Sequence, residues 1–341
     1  MTWFEQLTGI SPETAAKVRA EIQVSDDGLH LTSRANGARF RCGRLETPSL
    51  AELRARNARP AGAPGGFLRV GEAVGDVRAL HGDPRNAGAL FQVASQFNLL
   101  EMVGPDVTPE QGVGRYQSDH TQGPACAIAC GAGTIYRNYF VPLDGQIGQS
   151  ASRQIDCLAD LETGLARGMG QAGRRLWAMR NGYALPTSEG LRAVCAYLAT
   201  LDEGGRDALR AHLRIGLQWD TQVTDRGAQH NVTQAYCSAL PVSYSSQSPR
   251  EWAPLARLVL EASYEAALLA AAENARATGN PRVFLTRVGG GAFGNDVAWI
   301  HDAARRAFDR VDHLPLDVSF VSYGRSQPDL APLFRNPGNR T

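Results

Sequence analysis

Two kinds of segment alternate in the last third of the chain. Short runs rich in β-branched and aromatic residues, 282–288 and 316–323, predict buried strands, and the Ala- and Leu-rich run 252–277 predicts a long helix. A further helix is expected over 296–310, between these two strands. Strands that alternate with helices in this way are typical of an α/β sheet with helices on its faces.

The earlier part of the chain predicts two more strands, at 89–97 and 234–244. A loop rich in glycine and polar residues follows the first of them at 103–123, and Pro124 then begins a short apolar helix at 125–130. The remaining helical segments are expected at 11–22, 153–180 and 188–212, with a turn at 180–183.

Proline and glycine divide the chain into parts. The stretch 59–66 is expected to be a loop because it holds two prolines and three glycines. Residues 1–66 are expected to form a helical N-terminal extension packed on the core, residues 67–324 the main domain, and residues 325–341 a loosely ordered tail.

Composition narrows the class of protein. The chain has 341 residues, 43% hydrophobic, and its 35 basic and 34 acidic residues leave a net charge of +1, so a nucleic-acid partner is not expected. No apolar stretch approaches the roughly 20 residues that span a bilayer, and no secretory signal is apparent, so we expect a cytoplasmic protein, or one delivered into a host cytosol. The six cysteines and seven histidines lack metal-ligand spacing, so no metal is expected.

A glycine-rich loop at Gly289–Asp296 lies between a predicted strand and a predicted helix. Residues without a Cβ let the backbone approach a ligand closely, and free amides at a helix start attract phosphate. Gly289, Gly291 and Gly294 also match the dinucleotide-binding fingerprint, which would indicate a nicotinamide-dependent oxidoreductase. That fingerprint begins a six-stranded sheet, whereas only one strand is expected after this loop.

The sequence Gly-x-Gly-Ala-Phe-Gly-x-Asp after a strand resembles the second phosphate loop of macrodomains, in particular the poly(ADP-ribose) glycohydrolase branch. Two longer strings, Phe91–Glu101 and Asp119–Gly133, resemble effector-type macrodomains that remove ADP-ribose from arginine. The resemblance covers about residues 70–324. It implies a three-layer α/β/α fold with a mixed central sheet, and ADP-ribose as ligand without a cofactor.

The same resemblance assigns roles to single residues. It implies that Asp76, in a segment similar to Gly-Asp-Ile-Thr, holds the adenine amino group, that Tyr323 stacks on adenine and that Phe293 lies against the distal ribose. The residues expected at ADP-ribose are Asp76, Gln96, Asn98, Gly112, Gly114, Thr121, Gln122, Gly123, Gly289, Gly290, Gly291, Ala292, Phe293, Gly294, Asn295, Asp296 and Tyr323.

Cleavage of a ribosyl C1″ bond passes through an oxocarbenium-like state, which a carboxylate stabilises. Of the acidic residues flanking the first loop, Asp119 is the first candidate because it precedes a helix start, and Glu101, expected to end the preceding strand, is the second. The Gln-Glu-Glu signature of polymer-digesting glycohydrolases is missing between residues 98 and 123, so activity on the polymer is not expected.

The predicted function is removal of mono-ADP-ribose from a modified protein, by hydrolysis of an arginine linkage. A ubiquitin-like protein is one example of such a partner. The alternatives are a module that binds ADP-ribose without hydrolysing it, and the oxidoreductase named above.

Overall fold

The computed structural model describes residues 1–58 and 65–334, so most of the predicted loop 59–66 lies outside the described residues. The strands are β1 (Ile22–Val24), β2 (His30–Ser33), β3 (Arg39–Arg41), β4 (Arg44–Glu46), β5 (Arg69–Val74), β6 (Leu90–Ala94), β7 (Pro142–Leu143), β8 (Gln146–Ile147), β9 (Ala178–Arg180), β10 (Tyr183–Leu185), β11 (Gly216–Gln222), β12 (Asn231–Cys237), β13 (Arg282–Leu285) and β14 (Asp317–Ser322). The helices are α1 (Trp3–Thr8), α2 (Ala15–Glu21), α3 (Leu50–Arg56), α4 (Val77–Gly82), α5 (Gln122–Ala129), α6 (Gly131–Tyr139), α7 (Ala159–Gly168), α8 (Ser188–Thr200), α9 (Glu203–Arg210), α10 (Pro249–Thr278) and α11 (Val297–Arg310).

The central sheet has seven strands in the order β4-β11-β12-β6-β13-β14-β5. The strands from β12 to β5 run parallel, while β11 is antiparallel to both of its neighbours. The mixed sheet predicted from the sequence is therefore confirmed. All five parallel strands end at the same edge, which is where α/β sheets bind ligands.

Side chains of β12 show that the sheet lies between two helix layers, because successive residues of a strand point to opposite faces. The Gln234 amide donates to the carbonyl of Cys126 in α5 at 2.9 Å, and the Tyr236 hydroxyl accepts from Arg137 of α6 at 3.0 Å. Cys237, in contrast, contacts the carbonyl of Ser263 in α10 at 3.8 Å. The three-layer α/β/α arrangement is thus confirmed.

The N-terminal extension is less helical than expected. After α1 and α2 it forms the antiparallel sheet β1-β2-β3, and β4 then joins the edge of the central sheet beside β11. Short runs that alternate between more and less exposed positions, such as His30–Ser33, favour strands. The extension shares a hydrophobic cluster with α5 and α6, in which Phe4 and Val18 lie with Ile128 and Ile135.

The predicted tail after Gly324 contains regular structure where the structure describes it. A 3-10 helix at Pro328–Leu333 buries Leu330 and Leu333 against the core, and these apolar contacts hold the segment in place. Residues 335–341 of the predicted tail lie outside the described residues.

Several predicted elements change in length. The helix expected at 153–180 shortens to α7, because Gly170 and Gly173 adopt positive φ and Asn181-Gly182 forms the turn of the β9–β10 hairpin. The short helix at 125–130 becomes α5 and continues into α6 after Cys130. No helix among the described residues is long and apolar enough to cross a bilayer.

Candidate active site

A cavity of about 540 Å³ lies at the carboxyl edge of the parallel strands. This volume is within the range of about 300–1,000 Å³ that is usual for small-molecule sites. Residues that end or directly follow β5, β6, β12, β13 and β14 line it, together with the start of α5. The residues predicted at ADP-ribose that line the cavity are Asp76, Gln96, Thr121, Gln122, Gly123, Gly289, Gly290, Gly291, Ala292, Phe293 and Tyr323.

Two turns, far apart in sequence, present backbone amides to this cavity. Among the described residues, the hydrogen bonds include none donated by the amides of Gln122 and Gly123 at the start of α5. The same holds for the amides of Gly291, Ala292 and Phe293 in the glycine loop. Free amides at a helix start and in a glycine turn together make a site for phosphate oxygens.

Both turns require glycine at their closest approach. A Cβ on Gly123 would lie 2.0 Å from the carbonyl oxygen of Ala94. A Cβ on Gly289, which has a φ of +78°, would lie 2.4 Å from the Cβ of Ala239. The Gln122 side chain fixes the first turn, because it accepts from the Ala94 amide at 2.9 Å and donates to the Gln92 carbonyl at 2.8 Å.

Asp119 lines the cavity just before α5 and is partly exposed. Its Oδ1 accepts a hydrogen bond from the Thr121 amide at 2.9 Å, which holds the carboxylate in one orientation. Among the described residues no hydrogen bond reaches its Oδ2. One oxygen of Asp119 is therefore held while the other is available to a ligand or a water molecule.

Glu101 also lines the cavity, but its side chain is only 1% exposed and its carboxylate is already paired. Arg137 donates to Oε1 at 2.9 Å and to Oε2 at 2.8 Å. Burial raises the pKa of Glu101 to about 7, and Arg137 opposes that shift. Contrary to expectation, Glu101 does not end a strand: β6 ends at Ala94, and a turn with Leu99 at a φ of 65° intervenes.

Arg137 is buried with its donors satisfied. Besides Glu101, it donates from Nε to the Leu99 carbonyl at 2.7 Å and from Nη1 to the Tyr236 hydroxyl at 3.0 Å. Its guanidinium also lies 4.2 Å from the centre of the Tyr236 ring. These contacts make Glu101 and Arg137 one buried polar unit beneath the cavity.

Three aromatic rings meet at the Asp119 side of the cavity. The Tyr183 ring lies 5.2 Å from both Tyr244 and Phe293, centre to centre, and Tyr244 lies 5.7 Å from Phe293. Burial raises the pKa of Tyr183, and nearby Tyr244 and Asp119 raise it further. Tyr183 and Tyr244 were not predicted at this site, although Tyr183 follows the Asn181-Gly182 turn and Tyr244 comes shortly after the end of β12.

At the opposite side, Asp76 follows β5 and caps α4. One carboxylate oxygen accepts from the Arg78 amide at 2.9 Å, and the other lies 2.9 Å from Nη2 of Arg226. Tyr323 follows β14 and is 82% exposed, so its ring is free to stack on a ligand. Arg287, which follows β13, also lines this cavity and was not predicted.

Two of the predicted glycines lie away from the cavity. Glu13 of the N-terminal extension accepts hydrogen bonds from the Val113 and Gly114 amides, each at 2.8 Å. Because that carboxylate occupies the turn, Gly112 and Gly114 contact Glu13 rather than lining the site.

Four more predicted residues support the site from behind. Asn98 is buried and donates to Gln154 at 2.8 Å, and Asn295 donates to the Leu240 carbonyl at 2.9 Å. Gly294 packs against Ser243, and Asp296 caps α11 by accepting from the Ala298 amide at 2.7 Å. These four residues hold the loops that line the cavity, but they do not line it themselves.

No family model and no curated protein matches the chain. Among solved structures, the chain is similar to poly(ADP-ribose) glycohydrolase from Thermomonospora curvata, with 14% identity and a TM-score of 0.42 over 92% of this chain and 93% of that one. It is also similar to the poly(ADP-ribose) glycohydrolase of Deinococcus radiodurans in complex with ADP-ribose, with 13% identity and a TM-score of 0.41 over 84% and 89%.

Proposed function

We propose that the chain is an ADP-ribosylhydrolase that removes mono-ADP-ribose from protein side chains, with arginine as the modified residue. One observation carries this proposal. Two turns with free amides line a single cavity together with Asp119, of which only one carboxylate oxygen accepts a hydrogen bond among the described residues. The amides suit a pyrophosphate, and the carboxylate suits the charge that develops at a ribosyl carbon.

In the proposed reaction the C1″–N bond breaks and its electron pair stays with the guanidine nitrogen. A water molecule attacks C1″, and Oδ2 of Asp119 accepts the proton that this water loses. The leaving guanidine is a strong base and takes up a proton from solvent, and Asp119 returns its proton to solvent, which regenerates the carboxylate. Thr121 holds Asp119 through its amide, so the carboxylate needs little reorganisation in the transition state.

Glu101 has a supporting role in this proposal. Both of its oxygens accept from Arg137 and its side chain is almost completely buried, so it is less accessible than Asp119 to a water molecule in the cavity. Its carboxylate holds Arg137 instead, while its backbone amide donates to the Tyr116 hydroxyl at 3.0 Å.

The test compares the wild type with Asp119→Asn on an arginine-ADP-ribosylated protein, by measuring released ADP-ribose. We expect the variant to lose roughly 100-fold or more in kcat/KM, as is usual for a missing general base. Calorimetry should give ADP-ribose affinities within about threefold of each other, because the phosphate turns are intact. Asp106→Asn is the matched control, since Asp106 is an exposed acid of the same loop paired with Arg180.

Three outcomes would contradict parts of the proposal. Tight binding of ADP-ribose without release by the wild type would make the protein a reader. Full activity of Asp119→Asn would remove the catalytic assignment, and absence of ADP-ribose binding would remove the ligand itself.

A further inference from the structure

We propose that Tyr244, supported by Tyr183 and Phe293, forms the subsite that receives the planar guanidinium of the modified arginine and thereby selects a substrate that is cationic at this position. This inference rests on the proposed function and assigns its substrate preference to a particular residue. We call these three rings the aromatic corner.

The aromatic corner is assembled from three separate segments, the β9–β10 hairpin, the 3-10 helix at Val242–Tyr244 and the glycine loop. Its rings meet at interplanar angles of 57° for Tyr183 with Tyr244, 48° for Tyr183 with Phe293 and 75° for Tyr244 with Phe293. All three line the cavity, and Tyr183 is almost completely buried while Tyr244 and Phe293 are partly exposed. Tyr244 and Phe293 therefore offer ring surface to a ligand.

Backbone contacts fix Tyr244 in advance of binding. The Ser243 amide donates to the Phe293 carbonyl at 3.0 Å, so the turn that carries Tyr244 is bonded directly to the glycine loop. The Tyr183 hydroxyl donates to the Met102 carbonyl at 2.8 Å, which holds the ring behind Tyr244. A turn and a supporting ring that are held in this way before binding lose little entropy when a ligand binds.

The chemistry of the aromatic corner suits a delocalised cation. Aromatic ring faces carry negative partial charge and attract guanidinium groups, more strongly where water is excluded. Asp119, on the same side of the cavity, adds a negative charge. The protein uses the same pairing in its interior, where the Arg137 guanidinium lies over the Tyr236 ring.

The position relative to Asp119 connects this subsite to the reaction. In the proposed function Asp119 acts at C1″, so the group attached to C1″ must lie beside it. The aromatic corner lies near Asp119, whose charge acts on Tyr183, whereas Tyr323 follows the strand that pairs with β5 and lies near Asp76. Tyr244 should therefore affect the leaving group and not ADP-ribose itself.

The experiment measures hydrolysis of an arginine-ADP-ribosylated protein by Tyr244→Leu and Tyr244→Phe, together with ADP-ribose affinity by calorimetry. Tyr244→Leu should lower kcat/KM roughly five- to thirtyfold, the loss of one cation–π contact, and Tyr244→Phe should stay within about twofold. N-methylguanidinium should inhibit the wild type more strongly than Tyr244→Leu, whereas neutral N-methylurea should inhibit neither. Tyr323→Leu is the contrasting variant, because it should weaken ADP-ribose binding itself.

The outcomes separate this inference from the proposed function. A wild type that releases no ADP-ribose from arginine overturns both. An active wild type with an equally active Tyr244→Leu overturns only the assignment of Tyr244. A Tyr244→Leu variant that weakens ADP-ribose binding as much as hydrolysis also overturns it, because Tyr244 would then act on the shared part of the ligand.

Discussion

At the scale of single residues, the two acids beside the cavity differ in how many of their oxygens are already hydrogen-bonded. Arg137 binds both oxygens of Glu101, while Thr121 binds one oxygen of Asp119. Removal of one partner of a buried ion pair destabilises the fold strongly, because the charge of the other partner is then buried without an opposite charge beside it. Glu101 and Arg137 should therefore show their importance in stability, and Asp119 in catalysis.

Glu101→Gln and Arg137→Met should each lower the free energy of unfolding by about 3–5 kcal/mol, as for other broken buried pairs. The double variant should cost less than the sum, because neither side then keeps an unpaired charge. Urea unfolding of the four proteins measures this coupling. Additive losses would contradict it, and a folded double variant that no longer releases ADP-ribose would contradict a purely supporting role for Glu101.

His81 gives the fold a pH dependence. Its ring is fully buried, stacks on Phe91 at 3.8 Å between ring centres, and accepts a hydrogen bond from Gln234 at 3.0 Å. Burial lowers its pKa from 6.5 to about 4. Between pH 6.5 and pH 4 the unfolded chain therefore binds a proton at His81 that the folded chain does not bind. Proton binding favours the unfolded chain, so the free energy of unfolding decreases as the pH falls from 6.5 towards 4.

The loss attributable to His81 should reach about 3 kcal/mol at the acid end of this range. Urea unfolding of the wild type and His81→Gln at several pH values measures this loss. The free energy of unfolding should fall more steeply with decreasing pH in the wild type than in His81→Gln. His212→Gln is the control, since His212 is exposed. Parallel pH profiles for wild type and His81→Gln would show that His81 titrates alike in both states.

At the scale of elements, the glycine loop offers a pair of matched substitutions. Gly289→Ala places a methyl group 2.4 Å from the Ala239 Cβ at a φ of +78°, whereas a Cβ on Gly291 meets no atom within 4 Å. Gly289→Ala should destabilise the protein by about 1–3 kcal/mol, and Gly291→Ala should have little effect. Thermal and urea unfolding check this, and equal stabilities would show that the loop relaxes around the added methyl.

The elements that could be predicted are those with strong local signals. The long apolar helix α10, the strands β13 and β14 and the glycine loop have their own periodicity or composition. β4, β5 and β11 do not: β4 is three residues long, β5 contains a glycine and a glutamate, and β11 is interrupted by a change of register after Gln218. Their pairing partners lie far away in sequence, so tertiary contacts determine them.

The site divides in the same way. Glycine turns and the Asp119 segment could be found because their residue types indicate phosphate and carboxylate chemistry. Tyr183 and Tyr244 come together only when the hairpin and the turn after β12 meet the glycine loop. Gly112 and Gly114 were wrongly predicted to contact ADP-ribose, because the neighbouring sequence does not show that Glu13 occupies their turn. Glu13 lies 100 and 101 residues before the two amides that it accepts from.

At the scale of the whole molecule, the N-terminal extension holds the segment that carries Asp119. The Glu13 carboxylate accepts from the Val113 and Gly114 amides and, at 2.6 Å, from the Tyr139 hydroxyl of α6. Gly114 begins the 3-10 helix Gly114–Ser118, and Asp119 follows directly. The extension therefore anchors the start of the segment that leads to the proposed catalytic carboxylate, although it does not line the cavity.

Glu13→Ala should leave the Val113 and Gly114 amides without their partner, at a cost of about 1–3 kcal/mol in stability. A small displacement of a reacting group lowers the rate strongly, so kcat for ADP-ribose release should fall roughly ten- to a hundredfold. ADP-ribose affinity should stay close to that of the wild type, because it depends on the two phosphate turns. Faster amide hydrogen exchange at Val113 and Gly114 would report the released turn directly. Asp26→Ala, at an exposed position of the same extension, should change none of these quantities. If Glu13→Ala exchanges faster at these amides yet keeps its kcat, Asp119 is held by Thr121 and α5 alone.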